Sequence, residues 1–189
     1  MEAIEALLTR TSAVRLGEPA PPSAVVDTVL QAALRAPDHG RLRPWRFIMV
    51  SGGARERLGT LMADSLLARK PDTAAAEIER ERAKPLRAPL IIVVAAIVEP
   101  NHPKIPEIEQ VLSAGAAAQN IMLAFHAMGY GCMWKTGGVA YDGRVKAAFG
   151  LADTDHIVGL LYAGTETAAA PDRGPPDAAD HVTVWSASA

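Results

Sequence analysis

Residues 129–138 read GYGCMWKTGG, and two quite different folds hang on how they are read. The run opens like the glycine fingerprint of a dinucleotide-binding βαβ unit, with Gly129 and Gly131 in the first two glycine positions. Trp134 stands where the third glycine belongs, and the segment follows a long helical pattern rather than a strand. That third glycine is what lets helix and strand pack closely, so the fingerprint fails in composition and in context. Glycines on both sides of a short strand over 130–134 would instead let backbone come close to a planar ligand, with Lys135 and Thr136 supplying a cation and a hydroxyl. A tight pair of turns around an edge strand is about as good a reading of these ten residues alone.

Outward from this run, the pattern alternates without a βαβ rhythm. Upstream, residues 107–128 carry Val111, Leu112, Ala118, Ile121, Met122 and Phe125 at helical spacing, and Gly129 is placed to end that helix. Further upstream, LIIVVAAIV (90–98) is short, continuous and β-branched, as expected for a strand buried on both faces. WRFIMVS (45–51) reads as another strand with Gly52-Gly53 as its turn, followed by a helix bearing Leu58, Leu61, Met62 and Leu66. Residues 74–84 predict an exposed, charge-paired helix. Near the N-terminus a short helix spans 2–9, and Ser23 is placed to cap a helix that must end near Ala36, before Pro37. Downstream, a helix over 141–149, a strand over 156–164, an irregular stretch over 166–181 and a last strand at HVTVW (181–185) complete the chain. The expectation is one α+β domain over 1–189 rather than a doubly wound parallel sheet.

Composition narrows the function classes. The chain has 189 residues, is 49% hydrophobic and carries a net charge of −2, so it builds a core and has no global pull toward nucleic acid or anionic lipid. The lone Cys132 excludes an internal disulfide framework, and MEAIEALLTR has no apolar stretch of signal-peptide length; a cytoplasmic location is expected. The longest apolar run is too short for a membrane helix. Histidines at 39, 102, 126, 156 and 181 share no metal-ligand spacing, and neither a Gly-x-Ser-x-Gly elbow nor a Walker loop is present.

Two further stretches carry candidate chemistry. Arg10-Thr11-Ser12, with Arg15 close behind, offers a guanidinium fork and hydroxyls that suit a phosphate; a solvated helix end is the more ordinary reading of these residues. RAPDHGRLRPWRF (35–47) packs Arg35, Arg41, Arg43 and Arg46 around Asp38 and His39, between Pro37 and Pro44. Asp38 and His39 read either as a general acid/base pair or as a turn in which Asp38 bonds nearby backbone. Trp45 reads either as an indole over a flat ligand or as core.

Taken in order, RTSAVR, RAPDHGRLRPWRF and GYGCMWKTGG, with IVGLLYAGT behind them, resemble the nitroreductase superfamily, in its short single-domain branch, over residues 1–165. The resemblance implies an α/β sandwich with a central, mostly antiparallel sheet flanked by helices, working as a homodimer with FMN at the subunit interface. It implies that Arg10, Thr11 and Ser12 hold the ribityl and phosphate end. Arg35 and His39 would reach the flavin of the other subunit, and Trp134, Lys135 and Thr136 would run along the isoalloxazine. Ala124, Phe125, His126, Ala127, Met128 and Gly129 would mark the nicotinamide region. NADH or NADPH would be the reductant, and a nitroaromatic, quinone or similar flat acceptor the oxidant, in ping-pong fashion. A non-catalytic flavin or nucleotide binder carries the same motifs, and a metal-dependent hydrolase using Asp38 and His39 is a weaker alternative. Two departures concern the phosphate. Val14 stands where the family pattern puts a basic residue, with Arg15 one later, and only Arg173 offers itself as a clamp in the tail.

Overall fold

The computed structural model describes residues 1–171 and 174–185. In chain order the elements are α1 (Ala3–Thr9), β1 (Arg15–Gly17), α2 (Ser23–Ala33), β2 (Trp45–Ser51), α3 (Ala54–Arg69), α4 (Ala75–Arg82), β3 (Leu90–Ala96), α5 (Glu107–Ala127), β4 (Gly131–Lys135), α6 (Gly143–Ala148) and β5 (His156–Ala168). Single 3-10 turns occupy His39–Arg41, Lys84–Arg87, Gly138–Tyr141 and Ala178–Asp180.

Every strand pairing is antiparallel. β3 lies between β2 and β5, with Ile92 opposite both Met49 and Leu161. β5 also pairs with β4, Met133 opposite Tyr162, and its last residues pair with β1. β3 is buried along its whole length. Its alternate side chains feed two cores. Leu90, Ile92, Val94 and Ala96 pack with Cys132, Leu161 and Ala163 against α2 and α5. Ile91, Val93 and Ala95 pack with Met133, Leu160 and Tyr162 against Leu58 and Met62 of α3 and Val145 of α6. A strand with helices over both faces has no solvent side, which is why its sequence is a continuous apolar run rather than an alternating one.

Helix α5 fits its small residues to this arrangement. Ala114, Ala117 and Ala118 are fully buried and let it lie close to the sheet and to α2, where Asn120 Nδ2 donates to Ala32 O at 3.1 Å. Gln110, buried in the first turns of α5, donates from Nε2 to Glu99 O and Ile105 O and accepts from Glu99 N–H, pinning the proline-rich loop after β3.

Several expectations change. Pro22, not Ser23, occupies the cap position of α2; Ser23 is its first residue and makes no capping bond. The helix expected over 141–149 is divided, because Asp142 adopts extended backbone (φ −85°, ψ 121°) and its carboxylate caps α6 by accepting from Arg144 N–H. The strand at 156–164 runs on to Ala168, so the start of the supposedly irregular stretch is sheet, paired with β1. His181–Trp185 forms no strand. Arg173 lies outside the described residues.

Candidate cofactor-binding cleft

β4 builds the site by alternation. Successive side chains of a strand point to opposite faces, so Met133 and Lys135 face the α3 side of the sheet while Cys132 and Trp134 face the α5 side. On the α3 side, Met133 and Lys135 sit beside Tyr162 and Leu160 of β5. Two adjoining cavities open there, of about 290 and 570 Å³, sharing Arg87, Met133 and Lys135 as common wall. The first is floored by Met62, Leu160 and Val139 and closed by Thr136 and Gly137. The second runs along Ala13, Val14, Arg15 and Leu16.

Cations dominate this cleft. Lys84, Arg87, Lys135 and Arg15 line it, and among the described residues no carboxylate does; Glu81 is paired with Lys84 at 2.5 Å and its charge also acts on Tyr162. Burial pushes the Tyr162 hydroxyl up to about 12, with the Arg87 charge working against it, so Tyr162 stays protonated and presents an O–H. The loop from α1 to β1 is tied to β4 by Ala13 N–H donating to Cys132 O at 3.1 Å. Within that loop Arg10 stands out, because its Nη1 is buried and has no hydrogen-bond partner among the described residues. A buried unsatisfied guanidinium nitrogen is costly and calls for an acceptor from outside the chain. The Arg10 charge reaches Cys132, where burial nonetheless dominates and raises the thiol to about 12. Gly137 takes φ 89°, a left-handed value that brings its backbone to the cleft without a Cβ.

The second candidate stretch lies on the α5 side of the sheet. His39 Nδ1 meets Glu109 Oε2 of α5 at 2.6 Å, Ser113 Oγ donates to Pro37 O at 2.8 Å, and Asp38 Oδ2 accepts from Arg43 N–H at 2.9 Å. Asp38 therefore serves the turn, not an acid/base pair with His39. Arg35 is exposed beyond the end of α2. Within one chain, Arg35 and His39 are not brought together with Arg10, Lys135 and Thr136. Trp45 is core.

Two of the expected site residues have side chains that lie away from the cleft within one chain. The Trp134 indole points away from the cleft and donates to Val158 O at 3.1 Å, so only its backbone borders the face of Lys135. Phe125 is fully buried with its ring edge-on to Tyr130. His126 is held to Thr9 Oγ1 at 2.9 Å and Ala124 packs on the α5-side core, leaving Ala127, Met128 and Gly129 exposed. Lys84, Arg87 and Tyr162 escaped the sequence reading. The signal for the first two was present in KPLRAP, where a lysine before one proline and an arginine between two precede a strand, much as in the stretch at 35–47.

With this geometry, the relatives fall into place. A sequence profile of the Nitroreductase family matches residues 9–165. An Escherichia coli K12 protein named "Putative NAD(P)H nitroreductase YdjA" is 41% identical over 186 residues, covering 98% of this chain and all of that one. Among solved structures, a nitroreductase-like family protein from Bacillus cereus superposes with a TM-score of 0.81 at 23% identity, over 98% of this chain and 96% of its own. A Bacteroides fragilis nitroreductase with bound FMN gives 0.74 at 18% identity, over 98% and 100%. The chain belongs to the nitroreductase family, a family of oxidoreductases. Among the described residues no helix is long and apolar enough to cross a membrane.

Proposed function

We propose that this chain is an FMN-dependent oxidoreductase that takes reducing equivalents from NADH or NADPH. It would pass them to nitroaromatic, quinone or similar flat acceptors by a ping-pong route, as a single-domain cytoplasmic homodimer. The observation that carries the proposal is a cationic cleft with an apolar floor, one wall of which, Ala13 to Leu16, continues the loop that holds the buried, partnerless Nη1 of Arg10. A planar ring bearing a phosphorylated tail has both halves of that chemistry. The names of the curated relatives and the FMN held by the Bacteroides fragilis structure point the same way.

In this reading Arg10, Thr11 and Ser12 hold the ribityl and phosphate end. The hydroxyls of Thr11 and Ser12 are exposed, and neither makes a hydrogen bond among the described residues. Arg15 does the work of the basic residue that Val14 does not supply, since it lines the cleft one position later. Lys135 and Thr136 flank the ring, and the cation of Lys135 favours negative charge there. The Gly137 backbone is free to aim an N–H at the ring edge. Arg35 and His39 complete the site from the other subunit, and Ala127–Gly129 remain the nicotinamide contacts.

When bound, flavin supplies the redox chemistry: a hydride is accepted from NAD(P)H, which leaves as NAD(P)+, and two electrons pass with protons to the acceptor. The chain itself binds, orients and shields, which accounts for the lack of a nucleophile or acid/base constellation.

The test is a visible spectrum of the purified protein, before and after NADPH or NADH under anaerobic conditions. Yellow protein that bleaches supports the reading. Yellow protein that neither reductant bleaches makes the chain a flavin binder instead, and colourless protein unable to take up FMN removes the proposal altogether. An Arg10→Ala, Arg35→Ala double variant should release FMN and keep its far-ultraviolet circular dichroism.

A further inference from the structure

We propose that Arg41 and Arg43 form a phosphate site that selects the reductant, favouring the 2′-phosphorylated dinucleotide NADPH over NADH. The inference starts from backbone. Gly40, Arg41 and Arg43 all take left-handed φ, at 69°, 59° and 52°. For glycine this is free; for two arginines it is sterically unfavourable, and such residues persist where their surroundings over-determine them. The surroundings here do so. Asp38 Oδ2 grips Arg43 N–H, Ser113 grips Pro37 O, and Arg46 Nη1 donates back to Trp45 O at 2.9 Å.

The strained turn presents charge. Arg35, Arg41 and Arg43 line a cavity of about 360 Å³, with Leu34 and Trp45 as its apolar wall and Asp38 as its one acid. Asp38 is already bonded to the Arg43 backbone. None of the three guanidiniums has a hydrogen bond or ion pair among the described residues. Three exposed cations around one concavity, none paired with an acid, suit an anion, and guanidinium forks match a phosphate well.

Two cationic sets imply two phosphorylated ligands. The cleft on the α3 side has its own cations, so the flavin phosphate does not need Arg41 or Arg43. Resting on the reading that Arg35 meets the partner's flavin, the cavity joins that flavin contact to Arg41 and Arg43. The 2′-phosphate marks the adenosine end of the reductant, so a dinucleotide anchored there extends its nicotinamide toward that flavin.

The experiment uses the FMN-loaded protein and its Arg41→Gln, Arg43→Gln variant, with Arg41→Gly, Arg43→Gly as a second variant that tolerates left-handed backbone. Calorimetry would compare adenosine 2′,5′-bisphosphate, adenosine 5′-monophosphate and inorganic phosphate; anaerobic stopped flow would compare flavin reduction by NADPH and NADH. The bisphosphate should bind the natural protein about tenfold or more tighter than the monophosphate, and both variants should lose that margin. The NADPH-to-NADH ratio of kcat/KM should fall by a similar factor. Equal binding of the two nucleotides, phosphate binding as tight as the bisphosphate, or loss of FMN from the variants would each overturn the proposal. If neither reductant bleaches the flavin while the bisphosphate preference stands, the phosphate site survives and the proposed redox function does not.

Discussion

The indole of Trp134 occupies the space that a side chain at Gly159 would need. It packs across β5 at that glycine and donates to Val158 O, so a Cβ at 159 would overlap Nε1 and the adjoining ring atoms. Strand alternation sends Trp134 to the α5-side core and leaves its neighbour Lys135 in the cleft, and this contact seats the indole there.

Gly159→Ala should therefore displace the indole and break its hydrogen bond, destabilising the protein by about 1–3 kcal/mol. Urea denaturation followed by tryptophan fluorescence checks this. An unchanged midpoint would mean that the indole has another place to go.

Gly137→Ala tests the cleft edge by a different route. Nothing lies within 4 Å of a Cβ built there, so space is not at issue; the φ of 89° is. A cost of about 1–2 kcal/mol is expected from the backbone alone. FMN affinity should fall with it, measured by fluorescence quenching on titration.

Asp142 predicts an acid-side signature. Arg144 beside it, through its side-chain hydrogen bonds, holds its carboxyl down at about 2 from an ordinary 3.8, and Ser65 Oγ also donates to it. A depressed folded value means that the stabilisation is complete above the unfolded value and is lost as pH falls through about 4 toward 2. Because the Arg144 side chain is 55% exposed, the contribution is on the order of 1–2 kcal/mol at most. The stability gap between the natural protein and Asp142→Asn should be constant at neutral pH and close across that window.

Cys132 should be inert in the native state. Burial lifts its thiol to about 12, so almost no thiolate exists at neutral pH. Ellman's reagent should find no reactive thiol until denaturant is added, and then one per chain. Rapid native labelling would mean that β4 opens locally.

Much of this fold was legible in the sequence because its signals are local. The β3 run, the apolar periodicity of α5 ending at Gly129 and Pro37 after α2 each fixed an element without knowledge of its neighbours. What was missed depends on distant partners. Arg15–Gly17 is too short to declare itself a strand and becomes one only because residues 165–168 lie opposite. Lys84 and Arg87 line the cleft because a 3-10 turn and a strand register carry them there. The split between Trp134 and Lys135 was available from the alternation of any strand, yet a motif read as one unit hid it. Phe125 belongs to the same predicted stretch as the exposed Ala127–Gly129 but faces the core.

The pairing of β1 with the end of β5 also bears on how the molecule is made. Arg15 sits opposite Ala168 and Gly17 opposite Thr165, and Thr165 Oγ1 also donates to Pro19 O at 2.8 Å. The first strand synthesised thus waits for nearly the last one before it has a partner. Until then the loop bearing Arg10, Thr11 and Ser12 has neither β4 nor β5 to rest on. On the ribosome the helices and the β2–β3 ladder can form early, but the cleft closes only once residues 165–168 have emerged. Cofactor capture therefore waits for β5, and a chain truncated before residue 165 should emerge colourless however well its helices form.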